Sequence, residues 1–209
     1  MGDLRRLISY LLLGLLTVVG LGGAVLGIEL APSNVPLKQA VNNTLDAASY
    51  TQMLKESTAQ GKETFSLVYQ GPDRLGGYLQ SGNKRTYVYV IGSEEYQSIT
   101  VPANKIPKRL VFYKQASAGA QAEDPVRDYL KYALTATDVT KSGSTYTFTK
   151  TQQNQTGTFV YTVNGSYISE FSLTVAADSV HLVISAVGSS PPVKLPANAK
   201  VVTVPTSGG

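Results

Sequence analysis

The spacing of apolar and polar positions changes several times along the chain, and each change marks an element. Leu7 to Ile28 reads LISYLLLGLLTVVGLGGAVLGI, 22 residues without a charge. At about 1.5 Å per residue, a helix of that length crosses a hydrocarbon core of about 30 Å. Its glycines (Gly14, Gly20, Gly22, Gly23 and Gly27) suit a membrane helix, because lipid offers the backbone no competing water. Arg5 and Arg6 precede the run and Glu29 follows it, so the positive-inside rule places the N-terminus in the cytoplasm and the chain from about residue 31 outside. The expectation is a cytoplasmic tip and transmembrane anchor over 1–30. A cleaved signal peptide is the alternative; such signals carry an apolar stretch of only about 7–15 residues, and Val25-Leu26-Gly27 is a poor but usable cleavage site.

After a linker over 31–36, punctuated by Pro32 and Pro36, the period becomes helical. Leu37, Ala40, Val41, Thr44, Leu45 and Ala48 form one stripe of a helix ending near Ser49. From Tyr50 the period is two. Phe65, Leu67 and Tyr69 share a face of one strand, and Thr86–Ile91 is the clearest strand in the chain. Turns at Gly71-Pro72-Asp73 and Ser81-Gly82-Asn83 separate these from an extended stretch over 74–80, and further strands are expected at 96–101 and 109–115. A second helix opens at Asp124-Pro125, with Val126, Tyr129, Leu130, Ala133 and Leu134 as its apolar stripe. Strands resume at 146–150, 158–163, 167–175 and 180–187, with Asn164-Gly165 as a hairpin signal, and a short strand is expected at 199–204.

The order helix, strands, helix, strands with short turns predicts an α+β fold whose sheet is antiparallel. Two helices cannot cover both faces of so large a sheet. The expected architecture is therefore an N-terminal transmembrane helix followed by one highly curved antiparallel sheet, a half-barrel, with both helices on its concave side. One domain is expected over 37–204, followed by a disordered tail over 205–209.

Composition narrows the chemistry. The chain has no cysteine, which excludes disulfides, thiolate metal sites and a lipid-modified N-terminal cysteine. His181 is the only histidine, so no histidine-pair metal site exists. The formal charge of +4 is too diffuse for a nucleic-acid binder. No nucleophile elbow accompanies His181, which reads as an ordinary strand residue. Ser81-x-x-Lys84 and Lys141-Ser142-Gly143 superficially match serine–lysine acyl-transfer enzymes, but Ser81 sits in a hairpin turn. Glu94 and Glu95 point to opposite faces of a strand and cannot pair for acid/base work. No cofactor, metal or enzymatic activity is expected.

Several segments together resemble the LolA/LprG-like family of bacterial periplasmic lipid-carrier proteins, over residues 37–204. They are Ala48-Ser49-Tyr50-Thr51 after the first helix, Tyr69-Gln70-Gly71-Pro72-Asp73-Arg74, Val90-Ile91-Gly92 with Tyr96 beyond, Ile184-Ser185-Ala186-Val187-Gly188, and Val193-Lys194-Leu195-Pro196. The resemblance implies a half-barrel closed by helices around an apolar cavity for acyl chains. Members carry lipoproteins or lipids between membranes, and one relative uses the fold as a sensory domain. This chain departs in lacking the lipobox cysteine, and a helical anchor would prevent free shuttling.

A lipid cavity needs apolar walls. The candidates are Phe65, Leu67, Tyr69, Tyr87, Tyr89, Ile91, Phe159, Tyr161, Phe171 and Leu173, with Tyr129, Leu130 and Leu134 as a lid; the same residues would equally build a closed core. Lys105, Lys108, Arg109 and Lys114 are candidates for membrane or head-group contact, against the alternative of a solvated edge strand blunted by lysines. The expectation is a membrane-anchored, extracytoplasmic binding protein for lipid or another acyl-chain ligand, with an envelope protein as a further partner. The alternative is a protein-interaction or sensory module with the cavity packed shut.

Overall fold

The computed structural model describes residues 34–105, 107–116, 124, 126–152 and 155–203. The expected anchor at 7–28, most of the linker and the tail at 205–209 lie outside the described residues. Among the described residues, no helix is long and apolar enough to cross a membrane.

The protein is a mostly-sheet α+β fold with two helices, as expected. Helix α1 spans Val35–Leu45, and Leu37, Ala40, Val41 and Thr44 are its buried stripe. It stops one turn earlier than the sequence suggests, because β1 begins at Ser49 and Ala48 is left exposed. Thr44 is tolerated in the stripe because its hydroxyl donates to the Ala40 carbonyl at 2.8 Å and accepts from the Ile168 N–H at 2.9 Å. Helix α2 covers only Val126–Lys131 and passes into a 3-10 turn, Tyr132–Thr135. That turn winds about three residues per revolution instead of 3.6, which rotates the stripe. Tyr132 is therefore buried while Leu134 is left half-buried.

The strands are β1 (Ser49–Thr58), β2 (Gly61–Gln70), β3 (Arg74–Ser81), β4 (Lys84–Ile91), β5 (Glu94–Ser98), β6 (Val101–Pro102), β7 (Leu110–Ala116), β8 (Thr140–Ser142), β9 (Thr145–Gln152), β10 (Gln155–Asn164), β11 (Tyr167–Val175), β12 (Asp178–Ser185) and β13 (Ala199–Thr203). The described residues fall into two compact units. The first holds α1, Glu56–Ala59, α2 and β8 to β12 up to Ile184; the second holds Ala48–Lys55, β2 to β7, Asp124 and the chain from Ser185 onward.

In the first unit the strand order is β12-β11-β10-β9-β8. Its register brings Phe148, Phe159, Leu173 and Val180 to one face, with Tyr146, Tyr161, Phe171 and Leu182 in the neighbouring row. The β10–β11 hairpin closes through Gly165-Ser166, one residue beyond the expected pair, and Gly165 takes φ +60°, a conformation that costs glycine little.

In the second unit the order is β13-β7-β5-β4-β3-β2-β1, with β6 on β4. The pairs with described register are antiparallel except β13–β7, which is parallel. The purely antiparallel expectation fails there because β13 arrives by a long proline-marked connection rather than a tight turn. That connection, around Val193, is an irregular segment. The Gln70 side chain accepts from the Val193 N–H at 3.2 Å, and Arg74 donates to its carbonyl at 3.4 Å.

Candidate functional site

In the first unit, the expected wall residues form a ring-packed core. The Phe148 and Phe159 rings stack at 4.9 Å and 5°, Phe148 and Tyr161 at 5.8 Å, and Tyr161 meets Phe171 at 4.8 Å. The lid residue Tyr129 lies 5.6 Å from Phe171, and Tyr132 lies 5.3 Å from Phe159. Leu130 and Leu173 are buried beside them. The polar ends are satisfied: the Tyr161 hydroxyl donates to the Tyr129 carbonyl at 2.8 Å, and the Tyr129 hydroxyl donates to Glu56 at 3.3 Å. Burial, and then the neighbouring Glu56 carboxylate, pushes the Tyr129 phenol far above its ordinary value. Burial does the same to Tyr161. Dense ring contacts and saturated hydroxyls are what a structural core requires.

The second unit divides the remaining wall candidates. Register pairs Phe65 with Leu79, Leu67 with Gly77, Tyr69 with Leu75, Leu75 with Val90 and Gly77 with Val88. Phe65, Leu67, Tyr69, Leu75, Leu79, Val88 and Val90 therefore line one buried face. The Tyr50 ring stacks on Tyr69 at 4.9 Å, which carries this face onto β1. Tyr87, Tyr89 and Ile91 do not join it. Strand alternation turns them to the opposite face, where they pack on Tyr96, Val101, Leu110 and Phe112, together with Leu195 and Ala199. Gly76 makes that packing close: a Cβ there would stand 2.3 Å from Tyr89 Cδ1 and 2.9 Å from Val193 Cγ1. Tyr87, Tyr89 and Ile91 thus belong to a second apolar cluster, and Val88 and Val90 take the places the sequence reading gave them.

Three residues that sequence analysis does not place among the wall candidates put polar atoms on the β1 side of the first face. Tyr50 and Gln52 follow the inward period of β1, with Leu54 next. The Tyr50 hydroxyl donates to Asp124 Oδ2, and Gln52 Nε2 donates to Asp124 Oδ1 at 2.9 Å. Gln52 is 1% exposed and Asp124 5%. The available signal is a glutamine at an inward position between Tyr50 and Leu54, which reads by itself as a break in the apolar pattern. Asp124, expected only as a helix cap, is here the acceptor of both side chains.

The basic candidates do not form one set. Lys105, Lys108 and Arg109 are exposed, whereas the Lys114 ammonium is committed to Glu94. The Lys114 ammonium and the Tyr96 hydroxyl, in that order, hold the Glu94 carboxyl below its ordinary value; Glu94 in turn raises the Tyr96 phenol to about 12. Glu95 points the other way and accepts from Gln115 at 3.1 Å. His181 lies opposite Ser172 in the register and meets Glu170 at 2.5 Å. No group of three or more acidic or histidine residues that could hold a metal is found among the described residues.

Over 81% of this chain and 99% of the other, the structure superposes on the crystal structure of LprF from Mycobacterium bovis, with a TM-score of 0.51 at 13% identity. The chain has the LolA/LprG-like fold. The Mycobacterium tuberculosis lipoprotein LppX aligns with a TM-score of 0.46 at 11% identity, over 77% of this chain and 97% of LppX. No protein-family model matches the sequence, and no curated protein does.

Proposed function

We propose that the chain is an extracytoplasmic binding protein for lipid or another acyl-chain ligand, held at the membrane by residues 7–28. It takes up acyl chains by reversible, non-covalent burial and performs no covalent chemistry. The observation that carries this reading is the unbroken apolar face of β2, β3 and β4, extended by Tyr50 and Leu54 of β1. Aliphatic side chains dominate it, and they adapt to a flexible chain better than stacked rings do. The LolA/LprG-like fold supports the same reading. A second reading, an interaction or sensory module with a closed core, is favoured by the near-complete burial of Phe65 and Leu67.

Native mass spectrometry of residues 31–209, purified without detergent from a bacterial host and followed by lipid extraction, tests the proposal. A co-purifying acyl lipid near one per protein is expected. A clean apo mass that ignores added lipids sinks it and leaves the closed module. Leu67→Phe then separates the two readings. On a ligand-binding face it lowers lipid capacity with little loss of stability, whereas in a closed core it costs about 1–3 kcal/mol. Ile91→Phe, on the opposite face, leaves lipid capacity unchanged.

A further inference from the structure

Gln52 presents an unusual problem of polar satisfaction. Its side chain has two N–H donors and one carbonyl acceptor. The Nε2 end is committed to Asp124 Oδ1 at 2.9 Å, and the other oxygen of that carboxylate accepts from Tyr50. This fixes the amide orientation, because a flipped amide would set its carbonyl oxygen against a carboxylate oxygen. Oε1 therefore points away from Asp124, and among the described residues nothing donates to it. The side chain is 1% exposed, so bulk water does not serve it either. It lies between Tyr50 and Leu54 on the inward period of β1, and Tyr50 stacks on Tyr69 of the apolar face. A buried carbonyl without a donor is retained at a cost in desolvation, and such a group calls for an explanation.

We infer that Gln52 Oε1 is the polar anchor of the apolar face, accepting a hydrogen bond from a donor group on the bound lipid. The inference rests on the lipid-binding reading and deepens it by naming the ligand class: an acyl lipid with a free hydroxyl, or an amide N–H, next to its chains. A fully esterified or hydrocarbon ligand buries as much apolar surface but leaves Oε1 unpaired. Discrimination between the two classes then follows from the penalty of the unmade bond rather than from pocket size. Asp124 and Tyr50 act as positioning residues, since they hold the amide and do not themselves meet the ligand.

The test uses the full chain in phosphatidylcholine vesicles with two photoactivatable probes. One is a diacylglycerol carrying a diazirine in one acyl chain, and the other is its 3-O-methyl ether, matched in chains but lacking the donor. After irradiation and digestion, adducts on peptides from 49–91 are quantified by mass spectrometry. The hydroxyl probe is expected to label these peptides about tenfold more strongly than the ether, the scale of one hydrogen bond. Gln52→Met is expected to erase that difference while retaining labelling by the ether. Equal labelling of the wild-type chain by both probes overturns the anchor and leaves lipid binding intact; this is also the result if a fixed water occupies Oε1. Absence of labelling by either probe overturns lipid binding itself, and the anchor with it. The wild-type comparison stands even if Gln52→Met fails to fold.

Discussion

In the unit built from β8 to β12, apolar surface is buried by rings on rings, with α1 and α2 as companions and the Tyr161 and Tyr129 hydroxyls each matched to an acceptor. The unit built from β2 to β7 and β13 has no helix among its described residues and loads both faces of its sheet with apolar side chains. One face is mostly aliphatic, with Phe65 and the Tyr50–Tyr69 stack among its rings, and carries an unserved carbonyl on Gln52; the other is held by the chain passing through Val193 and Leu195. Rings stacked this closely yield less readily to a flexible chain than aliphatic side chains do. An aliphatic face with one polar atom to satisfy is suited to exchanging partners. On the proposed function, the first unit supplies stability and the second supplies the ligand face.

Truncating the ring core should produce the largest effect. Phe171→Ala removes ring contacts to Tyr161, Tyr129 and Phe159 and is expected to cost about 3–5 kcal/mol in urea denaturation. A loss under 1 kcal/mol would break the comparison by showing that this core also yields easily. Next, Gly76→Val drives a side chain into Tyr89 and Val193 and is expected to cost about 1–3 kcal/mol. It should also loosen the segment around Val193, read as faster amide exchange there, while adducts on the opposite face persist.

A smaller effect concerns the Glu94, Tyr96 and Lys114 cluster. The Glu94 carboxyl is lowered in the folded state, so its contribution is fully present above its ordinary value of 4.5 and is lost as pH falls through the folded value. Tyr96 is raised from 10.0 to about 12, so its contribution is present below pH 10 and is lost as pH climbs through about 12. Melting temperatures of the wild type and Lys114→Met should therefore differ at neutral pH and converge in acid below the folded Glu94 value. A constant difference across that range would show that Lys114 acts through packing alone. The smallest effect belongs to the exposed pair on β11 and β12: Glu170→Gln should change stability by no more than about 1 kcal/mol at neutral pH.

Much of the fold was legible because strand and helix periods are local. The stripe of α1, the alternation of Phe65, Leu67 and Tyr69, the hairpin at Ser81–Lys84 and the opposed directions of Glu94 and Glu95 all follow from neighbours in sequence. The candidate site was legible only in part. The alternation of β4 offers two apolar faces, Tyr87-Tyr89-Ile91 and Val88-Val90, and local pattern favours the larger residues for a cavity wall. Pairing with β3 sets Val90 beside Leu75, on the face of Phe65 and Leu67, and Tyr89 beside Gly76, on the opposite face.

By itself, the sequence determined the α+β class, most element positions, the absence of cysteine chemistry and the chargeless run at 7–28. Tertiary structure alone decided which face of β4 joins Phe65 and Leu67, that β13 runs parallel to β7, and that Asp124 serves Tyr50 and Gln52 across more than seventy residues of chain. Periodicity assigns a side chain to one of two faces but does not say what lies opposite. That depends on strand register and on contacts between residues far apart in the chain, which carry no local signal.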